Sequence, residues 1–367
     1  MSEKNNLAEH SAVKVELLHT YLTIYLGIIG NLKYIEAIHV FDMYCNQGFF
    51  ENGREGSPVQ ILKSVKDFFY TMKSRNMIPP PINCFFNDID KNKIKHLENG
   101  VKAKPSLHDD DYGKLLYSTL DYNDFLVRIQ DKVSKMKNEK AFVFIDPYDY
   151  KTVKVEHIVK LLANNNTEVL LWQPIQFMYR FKENPPAALQ GFIDELDLDI
   201  SNIKSAKDFV IKLKEGFQRH VGTYYVDSFT IQKSANTVFS LFFFTPSIKG
   251  FEKMLEAKWK IDSENGDGWN YMKHTSTLFH NEKMNPLEEA LGKYLYHSSK
   301  TNQEIYEFTL RQGFLTKHTV EIFINWQNNG RLDVKLADGS DARKRAFYLK
   351  HEEYKASSPK VTITLKR

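Results

Sequence analysis

The sequence predicts an α/β protein with a mainly parallel sheet, helices on both faces of that sheet and a small C-terminal module. Short apolar runs rich in β-branched and aromatic residues alternate with helical patterns from Ile38 onward, which is typical of βαβ units. Two long strand-like runs follow, and the residues after them are helical and then basic. A length of 367 residues suits one large domain and one small domain.

Five apolar runs are the candidate parallel strands, and helical patterns fill the crossovers between them. The runs cover residues 38–44, 83–88, 116–121, 141–146 and 168–172. Helices are predicted over about 57–73, 90–102, 123–137 and 153–164. Ser57 and Pro58 mark the start of the first helix, because serine caps helices and proline fits their first turn.

A mostly helical insert over about 175–221 interrupts this pattern, and a hairpin follows it. Phe209, Leu213 and Phe217 recur at helical spacing in the insert. Residues 224–232 and 237–245 are strand-like and lie a hairpin-sized gap apart. Parallel βα units that end in a hairpin are the strand inventory of the class I methyltransferase version of the doubly wound, Rossmann-like sheet. We therefore predict such a domain over residues 1–265.

The C-terminal residues 285–367 predict a winged-helix-like module, joined to the first domain by a linker over 266–284. Pro286 begins one helix, Thr301 and Glu304 form a capping box that begins a second, and Gly313 suits the end of that second helix. A third helix is predicted over 316–327, and strands over 332–336 and 346–349 would form the wing.

Composition and cysteine usage exclude several classes of protein. A hydrophobic content of 42% excludes a disordered charged tail. Cys45 and Cys84 form no CxxC pair, so we expect neither a disulfide framework nor structural zinc, and the reducing cytoplasm is the expected location. The apolar stretch 15–32 contains Glu16 and Thr23, which favours a packed helix over a membrane span.

The histidines and acidic loops do not predict a metal site. The twelve histidines include no HxxxH or HExxH pair. The acidic run at 108–111 is expected to be a hydrated loop rather than a magnesium site. The sequence also lacks an Asp…Glu-x-Lys cluster at a convincing spacing, which argues against a metal-dependent nuclease.

The first candidate site is the loop after the first strand, where Asp42 is followed by residues up to Gly48. In doubly wound sheets the ligand lies at the carboxyl ends of the strands, and the first βα loop must bring its backbone close to the ligand. Gly48 permits that approach, and Asn46 stands where a glycine is expected. Asparagine tolerates left-handed backbone angles. The segment alone predicts an ordinary strand-to-loop turn as readily as a ligand-binding loop.

The second candidate is Asp88, at the end of the second strand. An acidic side chain at this place accepts hydrogen bonds from the ribose hydroxyls of a bound nucleoside. It lies 46 positions after Asp42, a longer spacing than that between the glycine loop and the acidic residue of the dinucleotide fingerprint. Residues 49–56 and a long helix account for the additional length. For the neighbouring Asp90 we favour a structural role as a helix N-cap.

The third candidate is Asp146-Pro147-Tyr148, at the end of the fourth strand. Enzymes that methylate exocyclic amino groups carry an acidic or amide residue, then proline, then an aromatic residue here. The oxygens accept hydrogen bonds from the amine, and the ring stacks on a flat substrate. The alternative is a strand-ending Asp-Pro turn. The segment Trp172-Gln173-Pro174 and Arg180 could shape the substrate pocket. The equal alternative is a buried tryptophan and a solvated arginine.

These segments carry a resemblance to a family, the three-Cys-motif partner proteins (TcmP), over most of residues 10–260. The resemblance rests on the loop 42–48, Gly56-Ser57-Pro58, the segments 87–90 and 145–148, and the late strand 239–244 followed by Gly250, Met254 and Trp259. It implies a Rossmann-type methyltransferase that uses S-adenosylmethionine (SAM). The family name implies association with a neighbouring three-cysteine, radical-enzyme-like protein.

The resemblance also implies roles for single residues. The backbone of Tyr44, Cys45, Asn46 and Gly48 would hold the methionine part of SAM, and Asp42 would meet its amino group or order the loop. Asp88 would bind the ribose.

Asp124, after the third strand, would face the adenine amine. Asp146, Pro147 and Tyr148 would face the methyl acceptor. This sequence departs from the family pattern at Asn46 and in having one proline after Asp146 where two are common. These departures leave open a second hypothesis, a non-enzymatic adaptor that binds nucleic acid or the three-cysteine protein.

The positive charge of the chain is concentrated at its C-terminal end. Residues 331–367 contain ten Lys and Arg against five acids, whereas the rest of the chain has a net charge of −1. Arg343, Lys344 and Arg345 would lie on the wing and could contact phosphates. Winged helices also dock proteins, so the sequence leaves nucleic acid and protein partners open.

Overall fold

The computed structural model describes residues 9–270, 286–296 and 298–366, which divide into two compact units. The first unit is Met1–Met272 and the second is Lys273–Arg367. Most of the predicted linker, 266–284, lies outside the described residues, but its residues Gly268–Asn270 form a short strand of the first unit.

The first unit is built on an eight-stranded sheet with the order β3-β2-β1-β4-β5-β7-β6-β8. Strands β1 to β5 are parallel to their neighbours, β7 is antiparallel to β5, and β6 is antiparallel to β7. This is the predicted class I methyltransferase arrangement of the Rossmann-like sheet, which is confirmed. The strands are β1 (Ala37–Asp42), β2 (Ile82–Asn87), β3 (Leu115–Ser118), β4 (Glu139–Ile145), β5 (Thr167–Gln173), β6 (Tyr225–Ser234), β7 (Thr237–Thr245) and β8 (Gly268–Asn270).

Helices cover both faces of this sheet. One face packs against α1 (Glu9–Ile29), α2 (Ser57–Ser74), α3 (Lys91–Lys102) and α9 (Ile248–Ile261). The other packs against α4 (Tyr122–Ser134), α5 (Val155–Leu162), α6 (Ile175–Arg180), α7 (Ala187–Glu195) and α8 (Ala206–Val221). The last three of these helices form the predicted helical insert between β5 and β6.

Helix α1 packs on the sheet through its apolar side. Its segment Ser11–Ile29 is long and apolar enough to cross a membrane by length and composition, yet half of the window that passes this test is buried within the protein. Tyr21 is fully buried and lies 4.8 Å from the ring of Phe243 and 5.8 Å from that of Phe142, measured between centroids. The helix therefore supplies part of the core.

A buried carboxyl, Glu168 of β5, joins α1 to the sheet. The hydroxyl of Tyr21 donates a hydrogen bond to it, and Thr245 Oγ1 donates another over 2.7 Å. A side chain at Gly250 would collide with the carboxyl, so glycine is required for this close approach. Burial raises the pKa of Glu168 to about 7, although both hydrogen bonds oppose the rise.

Within its described residues, the second unit contains four helices and a three-stranded sheet of order β10-β11-β9. Its elements are α10 (Pro286–Tyr296), β9 (Lys300–Thr301), α11 (Asn302–Arg311), α12 (Thr316–Asn328), β10 (Leu332–Leu336), α13 (His351–Tyr354) and β11 (Val361–Leu365). The predicted capping box of Thr301 and Glu304 is present, and Gly313 follows α11 with a φ of 82°.

The predicted second strand of the wing is wrong. Residues 346–349 form no strand, and the partner of β10 is β11. Arg345 and Tyr348 have positive φ angles of 67° and 53°, which a strand cannot accommodate. Phe347 and Leu349 are buried, so their apolar character anchors a loop instead.

We expect Glu168→Gln to stabilise the protein more at pH 8 than at pH 5. The folded state holds the Glu168 proton up to about pH 7, whereas the unfolded chain releases it near its ordinary pKa. The unfolded state therefore binds fewer protons in this window, and stability falls as pH rises through it. Glutamine removes the charge; its amide oxygen can accept one of the two hydrogen bonds, and its amino group can donate to the other hydroxyl oxygen. The gain should therefore approach roughly 3 kcal/mol above pH 7.

Urea unfolding at pH 5 and pH 8 measures this difference. The exposed Glu183→Gln is the matched control and should show no such pH dependence. An equal effect of Glu168→Gln at both pH values would contradict the argument.

Candidate cofactor and acceptor site

The candidate site lies at the edge of the sheet where the parallel strands end. Strand β1 ends in Asp42, β2 is followed by Asp88, β4 is followed by Asp146, and β5 ends in Gln173. Because β2, β1, β4 and β5 are neighbours, the fold brings these four polar side chains to one edge. Sequence separation alone, up to 131 positions between Asp42 and Gln173, hides this grouping.

The loop after β1 forms a tight turn by using two left-handed residues. Asn46 has a φ of 58° and Gly48 a φ of 71°, so asparagine adopts here the angle for which a glycine was expected. The Asn46 side chain accepts a hydrogen bond from the next amide over 2.8 Å. A Cβ at Gly48 would lie 2.5 Å from Leu97 Cδ1. The loop therefore requires glycine at 48 but not at 46.

Asp88 holds this loop in place. One carboxylate oxygen accepts a hydrogen bond from the Asn46 amide over 3.1 Å, and the other accepts one from the Asp90 amide over 3.0 Å. The ammonium of Lys93 lies 3.6 Å away. Asp88 is only 1% exposed, so the structure gives it a loop-ordering role in addition to any contact with a ligand. The expected N-cap at Asp90 is present, with a 2.9 Å bond from the Asn92 amide.

Asp42 is a fully buried carboxyl that lacks a hydrogen-bond partner among the described residues. Burial raises its pKa to about 7, and the nearby Asp146 carboxylate acts in the same direction. The Ser57 hydroxyl and the Tyr44 amide are close enough to lower that pKa, yet neither makes a hydrogen bond of good geometry. A buried polar group without a partner costs folding free energy. A bound cation or hydrogen-bond donor would remove this cost for the Asp42 carboxyl.

Lys14 of α1 supplies a positive charge next to this carboxyl. Its ammonium forms an ion pair with Asp146 Oδ2 and lies 4.7 Å from the centre of the Trp172 ring. It also lowers the pKa of Asp42. Lys14 is 8% exposed. One oxygen of Asp146 is thus engaged by the chain itself, and Oδ1 makes no hydrogen bond with the residues that the structure describes.

Tyr148 covers the side of the site that faces β2. The residue is 68% exposed, and its hydroxyl accepts a hydrogen bond from Lys93 over 2.5 Å. The ring of Tyr44 meets it edge-on at 6.0 Å and stacks on Tyr122 at 5.7 Å. Tyr148 therefore connects the loops that follow β1 and β4.

The remaining predicted site residues are placed less centrally. Asp124 is exposed in the first turn of α4, which follows the carboxyl end of β3. Pro147 is buried. Cys45 is a buried free thiol whose pKa burial raises, with Asp42 acting in the same direction. Only its backbone contributes to the loop edge, where its amide donates to Asn87 over 2.9 Å.

Further polar groups lie at this edge, of which the sequence identified Gln173 as a candidate pocket residue but did not identify Tyr150. The amide of Gln173 and the hydroxyl of Tyr150 are buried and have no hydrogen-bond partner within the described ranges. Lys14 was also missed. It lies in an N-terminal helix with no motif around it, and only the folded packing of α1 brings it to Asp146.

The basic cluster of the second unit is exposed. Arg343, Lys344 and Arg345 all lie on the surface of the loop between β10 and α13. The Arg345 amide donates to Gln327 Oε1 of α12 over 2.9 Å, which ties the loop to that helix. Within the part of the chain that the structure describes, these three side chains form no ion pair.

Comparison with known families assigns part of the chain. Residues 261–339 match the model of the GMT-like wHTH domain. The match includes α10, α11, α12 and β10 and ends before Arg343. It agrees with the predicted winged helix. No curated protein matches the chain.

Several solved structures of methyltransferases are similar to the chain at low identity. TomG, an O-methyltransferase from Streptomyces achromogenes in complex with SAM, is 10% identical with a TM-score of 0.37, over 66% of this chain and 83% of that one. An O-methyltransferase from Bacillus cereus in complex with SAH is 10% identical with a TM-score of 0.36, over 65% and 82%. A dimethyladenosine transferase from Plasmodium falciparum is 7% identical with a TM-score of 0.27, over 84% and 95%. The fold assignment given above rests on strand order and direction.

We expect a double-mutant cycle of Lys14→Met and Asp146→Asn to show coupling of about 1–3 kcal/mol in the free energy of unfolding, because the pair is largely buried. Urea unfolding of the wild type, both single variants and the double variant measures it.

The exposed pair of Lys102 and Glu98 is the control, and its coupling should stay below about 1 kcal/mol. Additive effects of Lys14→Met and Asp146→Asn would show that the two side chains are not coupled.

Proposed function

We propose that the first unit is a methyltransferase that uses SAM. The observation that carries the proposal is Asp42, a buried carboxyl without a partner among the described residues, directly below a left-handed loop at the end of β1. A bound cation would satisfy it. The ammonium of the methionine part of SAM is such a cation, so the donor set fits the cofactor.

The other contacts that we propose for SAM follow the same edge. The backbone of Tyr44, Cys45, Asn46 and Gly48 would hold its methionine part. Asp88 would order this loop and meet the ribose, and Asp124 would face the adenine amine. When bound, SAM supplies a methyl group activated by the neighbouring sulfonium.

We propose that Asp146, Pro147 and Tyr148 receive the methyl acceptor. Asp146 Oδ1 is free to accept a hydrogen bond from an acceptor amine, while Lys14 holds Oδ2 and fixes the carboxylate. Buried Pro147 sets the path of the loop, and the exposed ring of Tyr148 offers a flat face. These groups would orient the acceptor for in-line attack, and orientation is the main source of the rate.

The second unit would present the substrate or a partner. The match of residues 261–339 to a wHTH domain and the exposed basic cluster support nucleic acid as its ligand. We propose that the catalytic domain covers 1–265, the linker 266–284 and the module 285–367, with β8 at the start of the linker completing the sheet of the first unit. Membership of the three-Cys-motif partner proteins, with a three-cysteine protein as a second partner, and a cytoplasmic location are also proposals, and the buried free thiols suit the cytoplasm.

A non-enzymatic adaptor is the second candidate function. The ion pair of Lys14 with Asp146 favours it, because this ammonium already offsets the negative charge that would attract an acceptor amine to Oδ1. The single proline after Asp146 is a further departure in the same direction. The argument from Asn46 is weaker, since that residue adopts the required left-handed angle.

We expect calorimetric titration to show SAM and SAH binding, weakened about 10-fold to 100-fold by Asp42→Asn, because one charge-assisted contact is worth about 1.5–3 kcal/mol. Asp88→Ala should weaken binding as well, since it releases the loop. The exposed Asp131→Asn is the control. Absence of binding, or equal binding by all variants, would contradict the cofactor assignment.

Labelled SAM tests the transfer itself. Incubation with separated DNA, RNA and protein fractions should label one of them, and Asp146→Ala should reduce the label by roughly 100-fold because the acceptor loses its orienting group. Cofactor binding without label in any fraction would favour the adaptor.

The basic cluster has its own test. Replacement of Arg343, Lys344 and Arg345 by alanine should weaken duplex binding, and the slope of log affinity against log salt should fall by up to about 3 if each side chain neutralises one phosphate. Alanine at Lys73, Lys102 and Lys135 of the first unit removes the same charge as a control. If both triple variants lose the same duplex affinity, the loss reflects only the change in net charge, which would contradict a specific role of the basic cluster.

A further inference from the structure

Two exposed phenylalanines lie beside the acceptor end of the sheet. Phe177 is 44% exposed and Phe181 is 38% exposed. Phe177 belongs to α6 and Phe181 ends it, and this helix begins two residues after Gln173 at the end of β5. We call Phe177, Phe181 and Arg180 between them the aromatic platform.

Buried side chains and neighbouring rings hold the platform in place. Ile175 and Met178 of the same short helix are fully buried. The ring of Phe177 stacks on that of Tyr150 with centroids 5.5 Å apart and lies 4.9 Å from that of Phe181. Exposed rings with such support lose little conformational freedom when a ligand binds. Tyr150 belongs to the loop that begins with Asp146, so the platform and the acceptor residues share one structural support.

The platform lies on the opposite side of this loop from Tyr148. Tyr148 contacts Lys93 and Tyr44, towards β2 and β1, whereas Phe177 follows β5. Since β4 lies between β1 and β5, Asp146 at its end has an exposed aromatic side chain on either side. The proposed methyl acceptor would lie against Tyr148 on one side of Asp146. The platform on the other side would contact the part of the substrate that is next to the acceptor.

Cations outnumber acids by four to three in the segments 146–154 and 175–183, which form the platform and the neighbouring loop. Arg180 is exposed and makes no ion pair with any residue that the structure describes, and the same is true of Lys151 and Lys154 on the loop after β4. Of the neighbouring acids, Glu183 pairs with Lys182 at 3.0 Å, and Asp149 accepts hydrogen bonds from the amide of Lys151 and from Thr152. The free cations suit a chain of phosphates.

We propose that the aromatic platform binds single-stranded nucleic acid, with bases stacked on Phe177 and Phe181 and a phosphate on Arg180. Aromatic rings on a basic surface bind any base, because every base has a flat face. A duplex keeps those faces inside its stack, so the strand must be single or locally opened. The proposal rests on the proposed function, since it names the class of substrate presented to Asp146.

Fluorescence anisotropy with a labelled 12-nucleotide strand and with an abasic strand of equal length tests the proposal. The protein is the full chain carrying alanine at Arg343, Lys344 and Arg345, so that the second unit contributes less. The normal strand should bind at least about 10-fold more tightly than the abasic strand, because stacking is worth about 1–3 kcal/mol per base. Phe177→Ala with Phe181→Ala should remove this preference.

Two controls separate stacking from folding and charge. Alanine at Tyr34 and Tyr70, which are 57% and 58% exposed in the same unit, should leave the preference intact. Arg180→Gln should reduce the salt slope by about 1 and keep the preference for bases. Phe177→Tyr with Phe181→Tyr keeps the rings and should bind like the unsubstituted platform. Loss of binding in the alanine variant alone would therefore come from the missing rings.

Equal affinity for normal and abasic strands, or an unchanged preference in the double alanine variant, would overturn the proposal. Binding here is measured without cofactor. A chain that binds strands through the platform but fails to bind SAM would therefore contradict the proposed methyltransferase and support the platform. A chain that binds SAM but shows no preference for normal over abasic strands would contradict the platform and support the cofactor assignment.

Discussion

The buried carboxyl of Asp42 is the constraint on which the candidate site depends. A carboxylate in an apolar interior is unstable unless charge or hydrogen bonds compensate it. Here Asp146 makes the position less favourable for negative charge, and Lys14 makes it more favourable. The chain therefore holds two acids and one ammonium at the ends of β1 and β4. The proposed role of Asp42 as the partner of a ligand ammonium rests on this balance, because a bound cation would favour its ionised form.

Helix α1 links this site to the rest of the fold. Lys14 near its start pairs with Asp146, and Tyr21 further along donates to Glu168 on β5. Asp146 follows β4 and is partly exposed, whereas Glu168 lies on the neighbouring β5 and is buried. The same helix covers one face of the sheet, so loss of its packing would expose apolar core and uncompensated charge together.

The sequence was sufficient for the sheet because alternating apolar runs are a local signal, and it placed β1 to β5 and the final hairpin correctly. It failed at 346–349, where Phe347 and Leu349 are apolar yet anchor a loop, because burial in a loop resembles burial in a strand. It grouped Asp42, Asp88 and Asp146 through the rule that ligands lie at strand ends. Lys14 and Tyr150 were missed because their place depends on tertiary packing, which leaves no spacing pattern.

Proton release on cofactor binding tests the central claim most directly. At pH 6.5 Asp42 is largely protonated in the free protein, since burial raises its pKa to about 7. A bound ammonium favours the ionised form, so titration of SAM in buffers of different ionisation enthalpy should show release of about half a proton or more. Asp42→Asn should abolish this release. Binding with no proton release, or with the same release in Asp42→Asn, would contradict the role of Asp42.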